Sequence, residues 1–204
     1  MKILFSAICL FATFSVSIAA QDNQPPAKHD SRQQISLQGG ATITRKTTIN
    51  GIRYEPTTSG DVSFGYRYRF TRWFSAEADY DVFRDTQKYQ TSSGITAIGT
   101  NIHAASANAV ITFGNPLSKK FESFITAGGG VLLYDPHTLA NSSYQNRSFF
   151  VIGGGDDYLL SKHLRIRAQV QGLTYKAPDF GIASIHTDKY VQTVIPTIGV
   201  VWSF

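Results

Sequence analysis

Apolar and polar side chains alternate with a period of two through most of this chain, which is the spacing of strands rather than helices. Over its last fifteen residues, Val194, Pro196, Ile198, Val200, Trp202 and Phe204 share one face. Thr193, Ile195, Thr197, Gly199, Val201 and Ser203 share the other. A face that is wholly apolar and closes on two aromatics suits a strand with lipid on one side, where aromatic rings mark the interface. The alternation recurs over Gln34 to Thr44, Asp61 to Phe70, Phe74 to Phe83, Asn101 to Phe113, Phe121 to Tyr134, Ser148 to Leu160 and from Leu164 through Gln171. In the Phe121 segment, Gly128-Gly129-Gly130 obscures which side faces where, and a bulge is expected there. Gly153-Gly154-Gly155 has the same effect in the next segment; without a following helix or a P-loop Lys it is not a phosphate loop.

The connections alternate in length. Short ones lie near Thr71, Asn115 and Ser161; long polar ones begin near Arg45, Arg84, Asp135 and Tyr175. Eight strands joined alternately by short turns and long loops predict an all-β fold, an eight-stranded antiparallel up-and-down transmembrane β-barrel over residues 34–204. An even strand number puts both ends on the short-turn, periplasmic side.

The charges sharpen this picture. Val62, Phe64, Tyr66, Tyr68 and Phe70 point one way, and Arg67 and Arg69 the other; across a tight turn, Glu77, Asp79 and Asp81 share the side opposite Ala76, Ala78 and Tyr80. Hairpin geometry brings Arg67 and Arg69 within reach of Glu77 and Asp79. The device repeats at Asp157 with Arg165 or Arg167. Singly buried ions cost several kcal/mol, so a narrow lumen requires pairing. The lumen charge network is therefore expected to comprise Arg67, Arg69, Glu77, Asp79, Asp81, Asp157, Arg165 and Arg167. Eight strands leave an interior just filled by side chains, so a plugged lumen is expected, and loss of Arg67 is expected to raise ion flow.

Composition agrees with a barrel. The chain has 204 residues, 42% of them apolar, yet mean hydropathy is slightly negative and residues 21–204 contain no run of about 20 apolar residues. Residues 1–20 read as a signal peptide, with Lys2, an apolar Ile3 to Val16 stretch and the small residues Ser17 to Ala20. Residues 21–33, with Pro25-Pro26, read as a polar periplasmic linker. The one cysteine, Cys9, lies in the leader, so no internal disulfide is expected after cleavage. The formal net charge is +5 and spread out, which argues against a nucleic-acid surface and modestly favours anionic headgroups.

The block GGGDDYLLSKHLRIRAQV (153–170), the FITAGGG strand (124–130) and the GVVWSF end (199–204) resemble the OmpA/OmpX-type outer-membrane β-barrel family. The resemblance implies location in the outer membrane, and it implies that Trp202 and Phe204 form a C-terminal signal read by the barrel-assembly machinery. It also implies outer-membrane lipids as surroundings, envelope structure or surface interaction through four extracellular loops as function, and an unknown extracellular ligand at those loops. A monomer without cofactor is expected.

Rival readings are a small porin-like channel, a lipid-modifying enzyme and a secreted lipocalin-like barrel. His103 and Ser106 faintly resemble the His-x-Ser-Asn motif of lipid A deacylases, but they stand three apart, and a regular strand sends them to opposite faces. A rim protease would need an Asp-His set; Asp81, Asp85, Asp135, Asp179 and His186 lie in roughly that zone without the family motifs. The five histidines are scattered, so no metal site is expected, and no enzyme is expected. A lipocalin-like barrel also has eight strands, but arginines and acids on one side with aromatics opposite favour the inverted, membrane arrangement.

Overall fold

The structure is a computed structural model that describes residues 32–49, 51–92, 94–114, 120–138, 143–182, 185–186 and 189–204. The leader, the linker through residue 31 and the Asn115-Pro116 turn lie outside the described residues.

Ten strands occur among the described residues: β1 (Gln33–Thr44), β2 (Thr47–Ile49), β3 (Ile52–Tyr54), β4 (Ser59–Arg69), β5 (Phe74–Thr91), β6 (Gly94–Gly114), β7 (Phe121–Pro136), β8 (Gln145–Leu159), β9 (Leu164–Lys176) and β10 (Tyr190–Ser203). Eight of them close a ring in the order β1-β4-β5-β6-β7-β8-β9-β10, every neighbouring pair antiparallel, with β10 returning to β1. Closure removes both sheet edges. The seam between β1 and β10 skips Pro196, which has no N–H to donate.

Several expectations are corrected. Gln33, assigned to the linker, opens β1. No bulge interrupts the glycine run: Gly128, Gly129 and Gly130 pair in unbroken register with both β6 and β8. The connection expected from Arg84 to Thr100 is mostly sheet, because β5 and β6 pair as far as Thr91 and Gly94. The first long connection carries the β2–β3 hairpin, which joins β5 through Arg53 opposite Gln90 and Tyr54 opposite Tyr89. The polar composition of these stretches hid their strands, since an outward face of Thr86, Lys88 and Gln90 reads as loop.

The outer wall carries an apolar band. On β5 it runs through Phe74, Ala76, Ala78, Tyr80 and Val82, then stops at Arg84; on β10 it runs from Phe204 to Val194, then stops at Gln192. The nine residues of the β5 run at about 3.3 Å each, tilted as barrel strands are, give a band of roughly 25 Å. Exposed Phe64, Ile125, Ile152, Ile198 and Trp202 lie on it. The interior differs between its two halves. Toward the short turns it is charged; toward the long loops it is an ordinary apolar core that includes Tyr54, Tyr89, Ile98, Leu132, Tyr134, Phe149, Tyr175 and Phe180.

Candidate functional site

Inward positions on β4, β5, β8 and β9 build a charged layer near the short-turn end. Glu77 stands opposite Arg67 in register, and Arg67 Nη2 donates to Glu77 Oε2 at 2.7 Å. Arg167 stands opposite Asp157 and forks onto it, Nε to Oδ1 at 2.7 Å and Nη2 to Oδ2 at 3.0 Å. Its remaining Nη1 crosses the lumen to Glu77 Oε1 at 2.7 Å. Two arginines and two carboxylates thus form one neutral group. Both guanidiniums also face the ring of Phe124, at 4.4 Å for Arg67 and 4.9 Å for Arg167, a contact worth about 2 kcal/mol when desolvated.

Gly155 makes room for that ring. A Cβ there would lie 3.0 Å from Phe124 Cζ and 2.3 Å from the Ala168 carbonyl oxygen.

One layer nearer the turns, Glu122 collects Arg69 Nη2 at 2.6 Å and Arg165 Nη1 at 2.9 Å. The Gln34 carboxamide, turned with its oxygen to the arginines, accepts from Arg165 at 2.9 Å and Arg69 at 3.2 Å. Two of the expected pairings are therefore corrected. Register sets Arg69 opposite Ser75 and Asp79 opposite Gly65, so Arg69 reaches Glu122, and Asp79 accepts from Asn108 Nδ2 at 2.7 Å. Asp157 takes Arg167, leaving Arg165 to Glu122. Asp81 lies opposite Ser63, buried with Asp61, Asp79 and Asp85 along one wall.

Glu122 and Phe124 escaped the sequence reading. Their signal was an unbroken alternation 122, 124, 126 through the glycine-rich strand.

The connection after β9 turns inward at Pro178 to Phe180, and Phe180 is fully buried with its ring edge-on to Tyr134 at 6.0 Å. Phe180 adopts φ +53°, a left-handed conformation costing about 1–2 kcal/mol for a non-glycine residue. Burial of its ring offsets this, at about 1.5–3 kcal/mol. Gln145 clamps the turn, its Oε1 accepting from the Asp179 and Phe180 N–H groups at 2.9 and 3.1 Å and its Nε2 donating to Asp179 Oδ1 at 2.7 Å. Tyr89 Oη donates to the Pro178 carbonyl at 2.5 Å. Asp179 also contacts His186 and, at 3.3 Å, Arg147. Partial burial raises the Asp179 pKa, but the bonds from Gln145, His186 and the Gly181 N–H, with the Arg147 charge, outweigh it and hold the carboxyl below its ordinary range.

The remaining expected site residues fall as follows. Trp202 is exposed on the apolar band and stacks on His163 at 5.9 Å, and the Phe204 N–H donates to the Gln33 carbonyl at 3.0 Å. His103 and Ser106 project to opposite sides of β6: His103 bonds Tyr80 Oη on the outer wall at 2.8 Å, while Ser106 accepts from Asn108 at 3.0 Å. Asp81 and Asp85 are inside the lumen, away from the Asp179–His186 pair at the rim. No cluster of metal ligands occurs among the described residues.

An interior of paired charges inside an exterior of apolar side chains is the reverse of a soluble barrel, and it agrees with the family comparison. The model of the outer membrane protein beta-barrel domain matches residues 6–204. The chain belongs to the outer membrane protein beta-barrel domain family. It is accordingly a protein of the outer membrane. Among solved structures it is similar to Neisserial surface protein A (TM-score 0.60, 12% identity, 85% of this chain and 98% of that one). It is likewise similar to OprG from Pseudomonas aeruginosa (TM-score 0.60, 13% identity, 86% and 97%). The N-terminal barrel domain of OprF from the same organism also aligns (TM-score 0.52, 14% identity, 85% and 98%). At these identities the likeness is one of fold. No curated protein sequence matches the chain significantly.

Proposed function

We propose that this outer-membrane barrel is a closed, non-conducting scaffold that supports the envelope and presents a rigid extracellular face for surface interaction. The observation that carries the reading is the pair of seals in series: the Arg67–Glu77–Arg167–Asp157 group, whose four residues are 4% exposed or less, and the Phe180 cap. Ions crossing the lumen would have to break a buried charge group and then displace an aromatic plug, each a cost of several kcal/mol. Binding specificity would lie in the extracellular connections. We assign the barrel no catalytic role.

The test is single-channel recording in planar bilayers. Wild-type protein is expected to be silent. Because the seals lie in series, Arg67→Ala alone should leave current low, and Arg67→Ala combined with Phe180→Gly should raise it. Steady wild-type conductance would favour a porin-like channel instead. That second reading draws on Asp61, Asp79, Asp81 and Asp85, all buried along β4 and β5, a wall that would select cations if the lumen opened.

A further inference from the structure

The extracellular edge of the apolar band is not uniform. Where β4, β5 and β6 cross it, the outer wall holds a recess of about 430 Å³ lined by Gly60, Val82, Phe83, Arg84, Asn101 and His103. Gly60 leaves it open, since a Cβ there would meet nothing within 4 Å.

Three features of this recess point to one kind of ligand. First, it carries a positioned cation. Arg84 is the first outward residue of β5 beyond the band, and its Nε donates to Asn101 Oδ1 at 2.7 Å. Among the described residues Arg84 forms no ion pair, although Asp135 lies opposite Asn101 on the next strand. Its terminal Nη groups therefore stay available to an anion while the Nε bond holds the guanidinium in place. Second, His103 stands one outward position closer to the band, held through Nδ1 by Tyr80 Oη at 2.8 Å and stacked with that ring at 6.0 Å. An imidazole so oriented offers its other nitrogen as a second polar contact. Third, the wall below is low: the outward residues of β6 descend from His103 through Ala105, Ala107 and Ala109, which stand opposite Tyr80, Ala78 and Ala76 on β5. A trough floored by alanines accepts a hydrocarbon chain that a row of Leu or Phe would push away.

We propose that this recess binds the phosphate of an acylated, phosphate-bearing lipid of the extracellular leaflet. The phosphate sits between Arg84 and His103, and one acyl chain lies in the Ala105–Ala109 trough. A guanidinium anchored through Nε presents its paired Nη donors to phosphate oxygens, the geometry for which arginine is suited. Placement at the band edge sets the charge at headgroup depth with its chain already in lipid. The inference uses the membrane location and is independent of whether the lumen conducts.

The experiment reconstitutes the full barrel in phosphatidylcholine nanodiscs doped with lipid A, either phosphorylated or fully dephosphorylated, and counts retained lipid by native mass spectrometry after detergent release. Wild-type protein should retain phosphorylated lipid A and release the dephosphorylated form. Arg84→Gln should lower retention about tenfold, as expected for loss of a charged hydrogen bond, and Gly60→Trp, which fills the recess without touching a charge, should lower it comparably. Lys88→Gln, outward on β5 but two outward positions above Arg84, should not. Each variant is first shown to migrate as a folded barrel on an unheated gel. Equal retention of the two lipids, or unchanged retention in both Arg84→Gln and Gly60→Trp, would overturn the proposal. Displacement of the lipid by excess inorganic phosphate would show that free phosphate is the ligand and would overturn the lipid assignment.

Discussion

Arg167 on β9 and Glu77 on β5 meet at 2.7 Å across the barrel, although their strands stand four places apart in a ring of eight and so face each other directly. This bond, with Arg69 to Glu122 three strands away, ties opposite walls together. Because adjacent strands are joined edge to edge by their backbones, side-chain ties across the lumen fix its cross-section.

Removing Arg167 should therefore cost more than removing any one neighbour contact. Arg167→Ala leaves Glu77 with Arg67 alone and Asp157 buried without its ion-pair partner, a loss of about 3–5 kcal/mol. Urea unfolding in lipid vesicles should show it, and Asp157→Asn in the same background should recover part of the loss by removing the charge left unpaired. Equal stability of wild type and Arg167→Ala would mean that the charge group contributes nothing.

The Phe124 ring and the missing side chain at position 155 act as one fit. Gly155→Ala would put a methyl 2.3 Å from the Ala168 carbonyl oxygen and 3.0 Å from the ring. Overpacking of this kind costs about 1–3 kcal/mol, and Phe124→Leu in the same chain should relieve only the ring contact. An unfolding midpoint unchanged by Gly155→Ala would contradict the packing described.

Two isoleucines of similar exposure should respond differently to charge. Ile198 is 63% exposed on the apolar band and Ile95 is 69% exposed at the tip of the β5–β6 hairpin. Ile198→Arg places a cation in lipid and should destabilise by about 2–4 kcal/mol; Ile95→Arg faces water and should stay within about 0.5 kcal/mol. Refolding yield and unfolding midpoint distinguish them, and equal effects would remove the membrane from the account.

The turn that carries Asp179 and Phe180 should loosen in acid. Asp179 is held below the ordinary carboxylate range of about 4, so its contribution is complete above that range and is lost as pH falls through its lower folded value. Protection of the Asp179 and Phe180 amides against hydrogen exchange, measured relative to the intrinsic rate at each pH, should therefore be high at neutral pH and fall in strong acid. In Asp179→Asn this acid step should disappear. A wild-type profile flat down to strong acid would sink the assignment.

The alternation of side chains made the strands of the band legible, from Val62 beside Arg67 to Ile198 beside Thr197. It also made the Arg67–Glu77 pair legible, since both sit on adjacent strands joined by a short turn. What it concealed had three physical causes. Parity shows which residues face inward but not which strands stand opposite, so Arg167 to Glu77 and Arg69 to Glu122 needed the closed ring. Glycine has no polarity to alternate, which left Glu122 and Phe124 without an assigned side. Above the band the outward face turns polar, so Tyr54, Tyr89 and Ile98 read as loop residues, and Phe180 was one apolar residue in a polar connection.

The central claim is that the apolar face of each strand meets lipid and the other face meets the lumen, and β10 tests it most directly. Residues 21–204 contain no cysteine, because Cys9 is the only one in the chain, so single cysteines can be placed along β10 of the barrel refolded into vesicles. Cysteine at Val194, Ile198 or Val200 should react with a membrane-dissolved maleimide and resist a water-soluble one, while cysteine at Ile195, Thr197 or Val201 should resist the membrane-dissolved reagent. Rapid labelling of positions 194, 198 and 200 by the water-soluble reagent would contradict the account and turn the barrel into a soluble one with its apolar face in water.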